Sequence, residues 1–157
     1  SWSLSENLTE ESRKIVFNKL QDVLKKDPDV IDAYCRHTTD EKNAETVLRS
    51  AIKSGWSPRL VMRYGSLGKD GVSKRLKTAQ RWLKQHPDDY ALQFCLGELY
   101  RLNGEQWNAR ECYDKRLELK PTAQASEQLA ELLSMDGDHA RSSQYFRQAI
   151  QLNAQKS

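Results

Sequence analysis

Histidine and cysteine are the residue types in this chain that most readily bind metals or act as nucleophiles. The sequence contains three of each, and no two histidines stand at a metal-binding spacing. Cys35, Cys95 and Cys112 form no C-x-x-C pair, so neither a zinc site nor a redox motif is indicated. Cys35 and His37 are two residues apart and would point to different sides of a helix, so they could not ligate one metal ion together. We therefore predict no metal site and three buried, reduced thiols.

The sequence indicates no catalytic constellation either. No strand and glycine elbow precede a serine or cysteine, as an activated nucleophile would require. The glycines at 65, 68 and 71 resemble a phosphate-binding loop only superficially, because no strand precedes them and their spacing is wrong. His86 and His139 stand beside turns, where an exposed or capping role is the simpler interpretation. We predict that the chain is not an enzyme.

Charge and hydropathy limit the classes of partner. A net charge of +3 over 157 residues is mildly basic, whereas nucleic-acid binders usually carry a larger or more clustered excess. The basic run at 74–77 is therefore interpreted as a solvated helix face, and no nucleic-acid partner is predicted. The longest apolar runs are triplets, far short of the roughly 20 residues that span a bilayer. No signal peptide is visible.

The elements that must position any site are helices. Prolines at 28, 58, 87 and 121 divide the chain, and between them apolar residues recur three and four apart. No stretch sustains the alternation of a strand. The segments 96–119 and 129–152 are similar to each other at a constant offset of 33 residues, close to the 34-residue tetratricopeptide period. The pattern predicts an all-α fold of antiparallel helix hairpins stacked in a right-handed superhelix.

The best-defined unit carries the tetratricopeptide signature, in which small residues stand where two helices cross. The matching residues are Leu96, Gly97, Tyr100, Gly104, Ala109, Tyr113 and Pro121. In the following unit Ala130, Gly137 and Phe146 take the corresponding places, and Gly65 belongs to a more degenerate unit. Gln93, Arg116 and Ser142 depart from the pattern. A glycine inside a helix costs about 1 kcal/mol relative to alanine, and we expect Gly97 to be tolerated because a side chain there would push the hairpin apart.

The repeat period also predicts the organisation of the chain. Residues 1–157 are expected to form a single tetratricopeptide-like domain. Its units are predicted at about 8–26, where only a second helix is present, and then at 29–54, 58–87, 90–121 and 123–154.

One stretch, residues 33–67, is more specific than a generic repeat. It resembles the C-terminal tetratricopeptide region of the bacterial HemY proteins. The residues that carry the resemblance are Ala33-Tyr34, Ala44-Glu45, Leu48-Arg49, Trp56, Pro58, Leu60-Val61 and Tyr64-Gly65. The segment 81–110 is also similar to that family, and the resemblance extends over about residues 2 to 153.

The resemblance implies a non-enzymatic role at a late step of protohaem IX biosynthesis. It implies late haem-synthesis enzymes as partners and attachment to the bacterial inner membrane through N-terminal helices absent from this sequence, with the domain on the cytoplasmic side. An unrelated flavin-dependent oxidase shares the name, but it needs a dinucleotide fingerprint that this sequence lacks. If Ala33 takes the small position of its helix, His37 lies on the inner side and could ligate haem iron; a plain polar helix end is the alternative.

The first helices of the units should line a concave inner face, which repeat proteins use to bind partners. Counting from the small positions, the predicted groove consists of Tyr34, His37, Met62, Ser66, Phe94, Glu98, Arg101, Glu127 and Glu131. Its mixed charges suit a protein segment better than a phosphate polymer, although a merely solvated face would show the same mixture. A general protein–protein adaptor with no link to haem is therefore the alternative function.

Overall fold

The computed structural model describes residues 9–24 and 27–155, and within them it contains helices and no strands. Residues 1–8, 25, 26, 156 and 157 lie outside the described part, so the limits of the predicted unit 8–26 and both ends of the predicted domain are outside it too. The helices are α1 (Glu10–Leu24), α2 (Pro28–His37), α3 (Glu41–Ser54), α4 (Pro58–Gly65), α5 (Val72–Leu83), α6 (Tyr90–Leu102), α7 (Gln106–Leu119), α8 (Ala123–Met135) and α9 (His139–Ala154).

Most of these helices begin at a polar residue that caps the first turn. Asp89 accepts a hydrogen bond from the backbone N–H of Leu92 at 2.9 Å, and Thr122 accepts one from Ala125 at 3.2 Å. Such caps satisfy backbone donors that have no partner within the helix. The same arrangement is found at Asp27, Asp40, Ser57 and Asp138.

Consecutive helices form hairpins, α2 with α3, α6 with α7, and α8 with α9, and each packs against the helices that neighbour it in the array. In the remaining hairpin, α4 and α5 both pack against α6, and they contact each other through Arg75 and Trp82 of α5, which reach Tyr64 of α4. Two of the connections, 103–105 and 136–138, are three residues long and contain a glycine in the left-handed region. Gly104 has a φ of 79° and Gly137 a φ of 84°, conformations that glycine adopts without steric cost. The matching turns set both hairpins in the same geometry.

Gly97 lies where α6 crosses α7, as its position in the repeat predicted. A Cβ atom built on Gly97 would lie only 2.6 Å from Cε1 of Tyr113, and Tyr113 is itself buried. Gly65 allows a second close approach, since a Cβ there would lie 2.7 Å from the Cα of Cys95. Because the second obstacle is backbone, α4 and α6 could not pack this closely with a larger residue at 65.

The α2–α3 hairpin departs from the expected register by one residue. Gly97 precedes the buried Ala109 by 12 residues, and Ala130 precedes the buried Ser142 by the same interval. In α2 the residue 12 before buried Ala44 is Asp32, which is buried, while Ala33 is only half-buried. Placing Ala33 at the small position was therefore wrong, because a carboxylate in an ion-pair network occupies that place.

Phe146 also differs from its counterpart. Tyr113 is 2% exposed, whereas Phe146 is 40% exposed. Tyr113 is covered because α8 packs against α7, and no later helix among the described residues packs against α9 in the same way. The apolar core accordingly forms two clusters, one reaching from α2 to α7 and the other joining α7, α8 and residues of α6.

Candidate partner-binding groove

The predicted groove residues of α6 form one row along the helix. Phe94, Glu98 and Arg101 follow each other at intervals of four and three residues, so they share a face. All three are partly buried. This row is the central part of the candidate site.

Glu98 is the centre of a hydrogen-bond network that joins three helices. Its Oε1 atom accepts a hydrogen bond from the Tyr113 hydroxyl of α7 and one from Gln128 Nε2 of α8 at 3.0 Å. Its Oε2 atom accepts one from Arg101 Nη2 at 3.1 Å. A carboxylate with three donors is fixed in position, because each bond to a charged group is stronger than a neutral one.

The network also affects its neighbours. Burial alone would lower the pKa of Arg101, but the hydrogen bond and the attraction to Glu98 outweigh it and raise that pKa. Burial and the Glu98 carboxylate both raise the pKa of Tyr113 well above its usual value. Arg101 therefore stays cationic and Tyr113 stays a hydrogen-bond donor at physiological pH.

Sequence reasoning missed two members of this site, Arg116 and Gln128. The Arg116 guanidinium donates a hydrogen bond to Gln128 Oε1 and lies over the ring of Phe94, with 4.6 Å between its Cζ atom and the ring centroid. The available signal was the presence of arginine where the repeat usually has alanine. The repeat pattern alone marks that arginine as a weakened repeat position, whereas the structure shows it as an added functional group.

Met62 and Glu127 meet Arg116 at a cleft of about 430 Å³ beside the Glu98 network. The cleft lies between the inner side of α4, the junction of α7 with α8, and the end of α9. Its lining comprises Met62, Tyr90, Arg116, Lys120, Thr122, Ala123, Gln124, Glu127 and Asn153.

The structure does not bring the remaining predicted groove residues into this network. Ser66 follows the last residue of α4, and its hydroxyl donates a hydrogen bond back to the carbonyl oxygen of Met62 at 3.0 Å. Tyr34 accepts a hydrogen bond from Asn43 of α3. His37 and Glu131 are exposed. Ser66 and Glu131 remain predicted members of the groove, whereas the prediction for Tyr34 and His37 was counted from Ala33 and loses that basis.

A second polar cluster, also missed from the sequence, lies between α2 and α4. The buried carboxylate of Asp32 pairs with Arg63 Nε at 2.6 Å and with Arg59 Nε at 3.3 Å. Arg59 also contacts Asp29. The cluster joins the first helices of two successive hairpins, so its clearest role is to hold them together.

The thiols are poor candidates for chemistry. Burial raises the pKa of Cys35 and of Cys112 to about 12, and it raises the pKa of Cys95 as well. The Cys35 thiol donates to the carbonyl oxygen of Ala44 at 3.9 Å. Ligation and nucleophilic attack need the thiolate, which such burial disfavours. Among the described residues no group of three His, Cys, Asp or Glu side chains could hold a metal ion.

Comparison with known proteins establishes the fold. No protein-family model and no curated protein matches the chain. A solved structure of a MamA RS-1 ArsTM double mutant superposes with a TM-score of 0.64 at 18% identity, covering 94% of this chain and 86% of that chain. A crystal structure of MamA superposes with a TM-score of 0.61, also at 18% identity, covering 94% and 88%.

MamA is a tetratricopeptide-like helical-repeat protein, so the predicted all-helical fold of tetratricopeptide type is confirmed. At this identity the likeness concerns the fold alone. In the part of the chain that the structure describes, each helix is too short or too polar to cross a membrane.

Proposed function

We propose that this chain is a non-catalytic scaffold that binds a segment of a partner protein along the inner face of α6 and α8. The observation that carries the proposal is the Glu98 network, which fixes charged and polar side chains from three helices beside a half-buried aromatic ring. Fixed side chains lose little conformational freedom when a partner binds, so the free energy of their contacts is retained.

The chemistry of this face suits a polypeptide. Phe94 offers apolar area, Arg101 offers hydrogen-bond donors, and Glu127 and Glu131 offer acceptors. A peptide presents both donors and acceptors along its backbone and a choice of side chains, whereas a nucleic acid would need a continuous cationic surface. Aromatic and arginine side chains are also the most frequent anchors of protein interfaces.

The finer proposal is that the chain acts as HemY proteins do, assisting a late step of protohaem IX biosynthesis by docking the enzymes of that step at the inner membrane. Its support is the residue pattern of 33–67 described above. Haem ligation by His37 belongs to this finer proposal, and the exposed position of His37 at the end of α2 leaves its imidazole accessible to a ligand. The alternative is a general adaptor that binds its partner with no link to haem.

The two functions are separated by the identity of the partner. A pull-down with the full-length protein should recover an enzyme of late haem synthesis if the finer proposal is correct. Recovery of unrelated proteins only, with no haem bound by the purified protein, would favour the general adaptor.

The scaffold itself is tested by titrating the recovered partner against Arg101→Gln and against Arg147→Gln. Arg147 is the matched control because it is exposed on α9, which is the second helix of its hairpin and does not carry the predicted groove. We expect Arg101→Gln to weaken binding about tenfold, since a charge-assisted contact is worth roughly 1.5–3 kcal/mol, and Arg147→Gln to have no effect. Equal affinities for the two variants would contradict the proposal, with thermal melts confirming that both fold.

A further inference from the structure

Arg116 is a buried cation that no acid neutralises directly. Its side chain belongs to a residue that is 5% exposed. None of the ion pairs formed among the described residues includes Arg116, and its hydrogen-bond partner is the uncharged amide of Gln128. The nearby acid, Glu98, is reached only through that amide. Burying a charge without a directly paired opposite charge is costly.

The other fully buried arginine shows how the fold satisfies a guanidinium that has a structural role. Arg75, only 1% exposed, donates to the carbonyl oxygens of Tyr64 at 2.9 Å, Asp70 at 3.5 Å and Gly68. These acceptors are the end of α4 and the loop that follows it. Arg75 thus closes a turn with its donors, whereas Arg116 directs one hydrogen bond to Gln128 and otherwise faces an aromatic ring and the cleft.

A guanidinium has five N–H donors in a fixed planar fork. The fork of Arg116 borders the cleft together with Lys120, whose Nζ atom lies 4.4 Å from the centroid of the Tyr90 ring. Lys120 also forms no ion pair among the described residues. Two cations without acidic partners therefore line one cleft.

The start of α8 lies in the wall of the same cleft. Ala123 and Gln124 line it, and their backbone N–H groups precede the first intrahelical hydrogen bond, which Ser126 donates to Thr122 at 3.1 Å. The N-terminal end of a helix favours negative charge. The start of α8 therefore adds to the positive potential that Arg116 and Lys120 create in the cleft.

We propose that the cleft between Arg116, Lys120 and the start of α8 binds a carboxylate of the partner segment. The inference rests on the proposed scaffold function and names the chemistry that the partner brings to this position. A carboxylate fits because its two oxygens match the planar fork of Arg116 and can reach Lys120 at the same time. Met62 and the Tyr90 ring offer apolar contact to the residue that carries it.

Glu127 lowers the affinity of this cleft for a carboxylate. It is exposed and lines the same space, so its negative charge opposes a carboxylate ligand and limits the affinity. Removing that charge should strengthen binding, which is the opposite of what loss of Arg116 or Lys120 should do. Variants of opposite sign make the test independent of general damage to the fold.

The experiment measures the fluorescence anisotropy of four rhodamine-labelled hexapeptides mixed with the protein. They end in Leu-Glu-Glu or Leu-Gln-Gln, each with a free or an amidated C-terminus, so that side-chain and terminal carboxylates are distinguished. We expect the Glu-Glu peptide with a free terminus to bind about tenfold more tightly than the amidated Gln-Gln peptide. If replacing Glu-Glu by Gln-Gln loses more affinity, a side-chain carboxylate enters the cleft; if amidation loses more, the terminal carboxylate does.

For the tighter peptide, Arg116→Ala and Lys120→Gln should each weaken binding about tenfold, and Glu127→Gln should strengthen it about threefold. Alanine is the usual residue of the repeat at 116, so that variant keeps the packing of the array. If Arg116→Ala nevertheless fails to fold, the exposed Lys120 carries the test. Lys115→Gln is the matched control, because Lys115 is on the same helix and outside the cleft.

Equal affinity for all four peptides, or no binding at about 1 mM, would overturn the carboxylate site. If that happens while Arg101→Gln still weakens capture of the protein partner, the scaffold proposal stands and the carboxylate site alone is wrong. If the acidic peptide binds through Arg116 while Arg101→Gln changes nothing, the cleft is correct and the groove along α6 is wrong.

Discussion

The last two hairpins and the first two solve the same packing problem with different residues. In α6–α7 and α8–α9 the helices cross at Gly97 and Ala130, and the turns are three residues long. In α2–α3 the corresponding place holds the carboxylate of Asp32, and between α4 and α5 the six-residue connection 66–71 is held by buried Arg75. At these corresponding places the later hairpins have small residues, whereas the earlier ones have a carboxylate and an arginine held by ion pairs and hydrogen bonds.

The first two hairpins, here called the earlier half, and the last two, called the later half, should therefore lose stability in response to different changes. Packing of a ring against a glycine depends on shape, so it should respond to added volume and be insensitive to pH. A buried carboxylate depends on its partners, so it should respond to loss of charge. The predictions below test that contrast, beginning with the largest effect.

The largest effect should come from Gly97→Leu in the later half. Even the first added carbon would overlap the Tyr113 ring at 2.6 Å, so the substitution forces the α6–α7 hairpin apart. Overpacking typically costs about 1–3 kcal/mol, and we expect a loss of free energy of unfolding near 3 kcal/mol in urea denaturation. Gly55→Leu is the control, because a Cβ at Gly55 would meet nothing within 4 Å. Similar stabilities for the two variants would show that the crossing can expand.

The next effect should come from Asp32→Ala in the earlier half. Breaking a fully buried ion pair costs about 3–5 kcal/mol, but Arg59 is 54% exposed and can be rehydrated, so we expect about 2 kcal/mol. Asp29→Ala removes an exposed partner of the same arginine and should cost less than about 0.5 kcal/mol. If both variants were equally mild, the ion pairs would not be what holds α2 against α4.

A smaller effect should appear in the pH dependence of the free energy of unfolding, and Glu45 should cause it. Burial alone would raise the pKa of Glu45, but hydrogen bonds from Arg49 at 2.9 Å and from the Tyr64 hydroxyl at 2.8 Å outweigh it and lower that pKa. The unfolded chain therefore takes up this proton first on acidification. The stability that Glu45 contributes is present above the ordinary value of about 4.3 and is lost as the pH falls through the lower folded value.

Glu45→Gln should consequently flatten the loss of stability on acidification, by about 1 kcal/mol at most. The measurement is the urea midpoint of both proteins across the range from roughly pH 6 to pH 3. Parallel curves for the two proteins would show that Glu45 does not contribute to the acid sensitivity of the earlier half.

The smallest effect concerns Asp114 in the later half, where the sign is reversed. Burial raises the pKa of Asp114, against the attraction of Arg110 and a hydrogen bond from the Tyr145 hydroxyl at 3.4 Å. Its charged form is therefore destabilised in the folded protein, and Asp114→Asn should raise the midpoint at neutral pH slightly. A clear drop in the midpoint would mean that the Tyr145 contact is worth more than the cost of burying the charge.

The same contrast explains which features of the fold could be predicted from the sequence alone. The 33-residue offset predicted the helical fold and the close approach at Gly97, because a repeated pattern of small and apolar residues has one simple packing solution. Asp32 could not be placed, since it occupies a position where the pattern expects a small residue and its partners, Arg59 and Arg63, come from another hairpin. A period predicts where a residue stands, but it does not predict which distant charge compensates it.

The groove was predictable to the same extent. Phe94, Glu98 and Arg101 share a face for reasons of helical geometry, and the structure finds them side by side. The participation of Gln128 and Arg116 depends on the way α8 and α7 pack against α6, which no local pattern encodes. Departures from a repeat consensus, such as arginine at 116, are the signal that could have drawn attention to it.

The most direct test of the central claim is amide hydrogen exchange of the full-length protein with and without the partner recovered by pull-down. If the inner face binds that partner, exchange should slow in α6 and α8, which carry the Glu98 network and Glu127, and at the end of α7 beside Arg116, while the start of α7 and most of α9 should change little. Protection confined to α7 and α9, with α6 and α8 unchanged, would contradict the account, because the partner would then occupy the opposite face of the array.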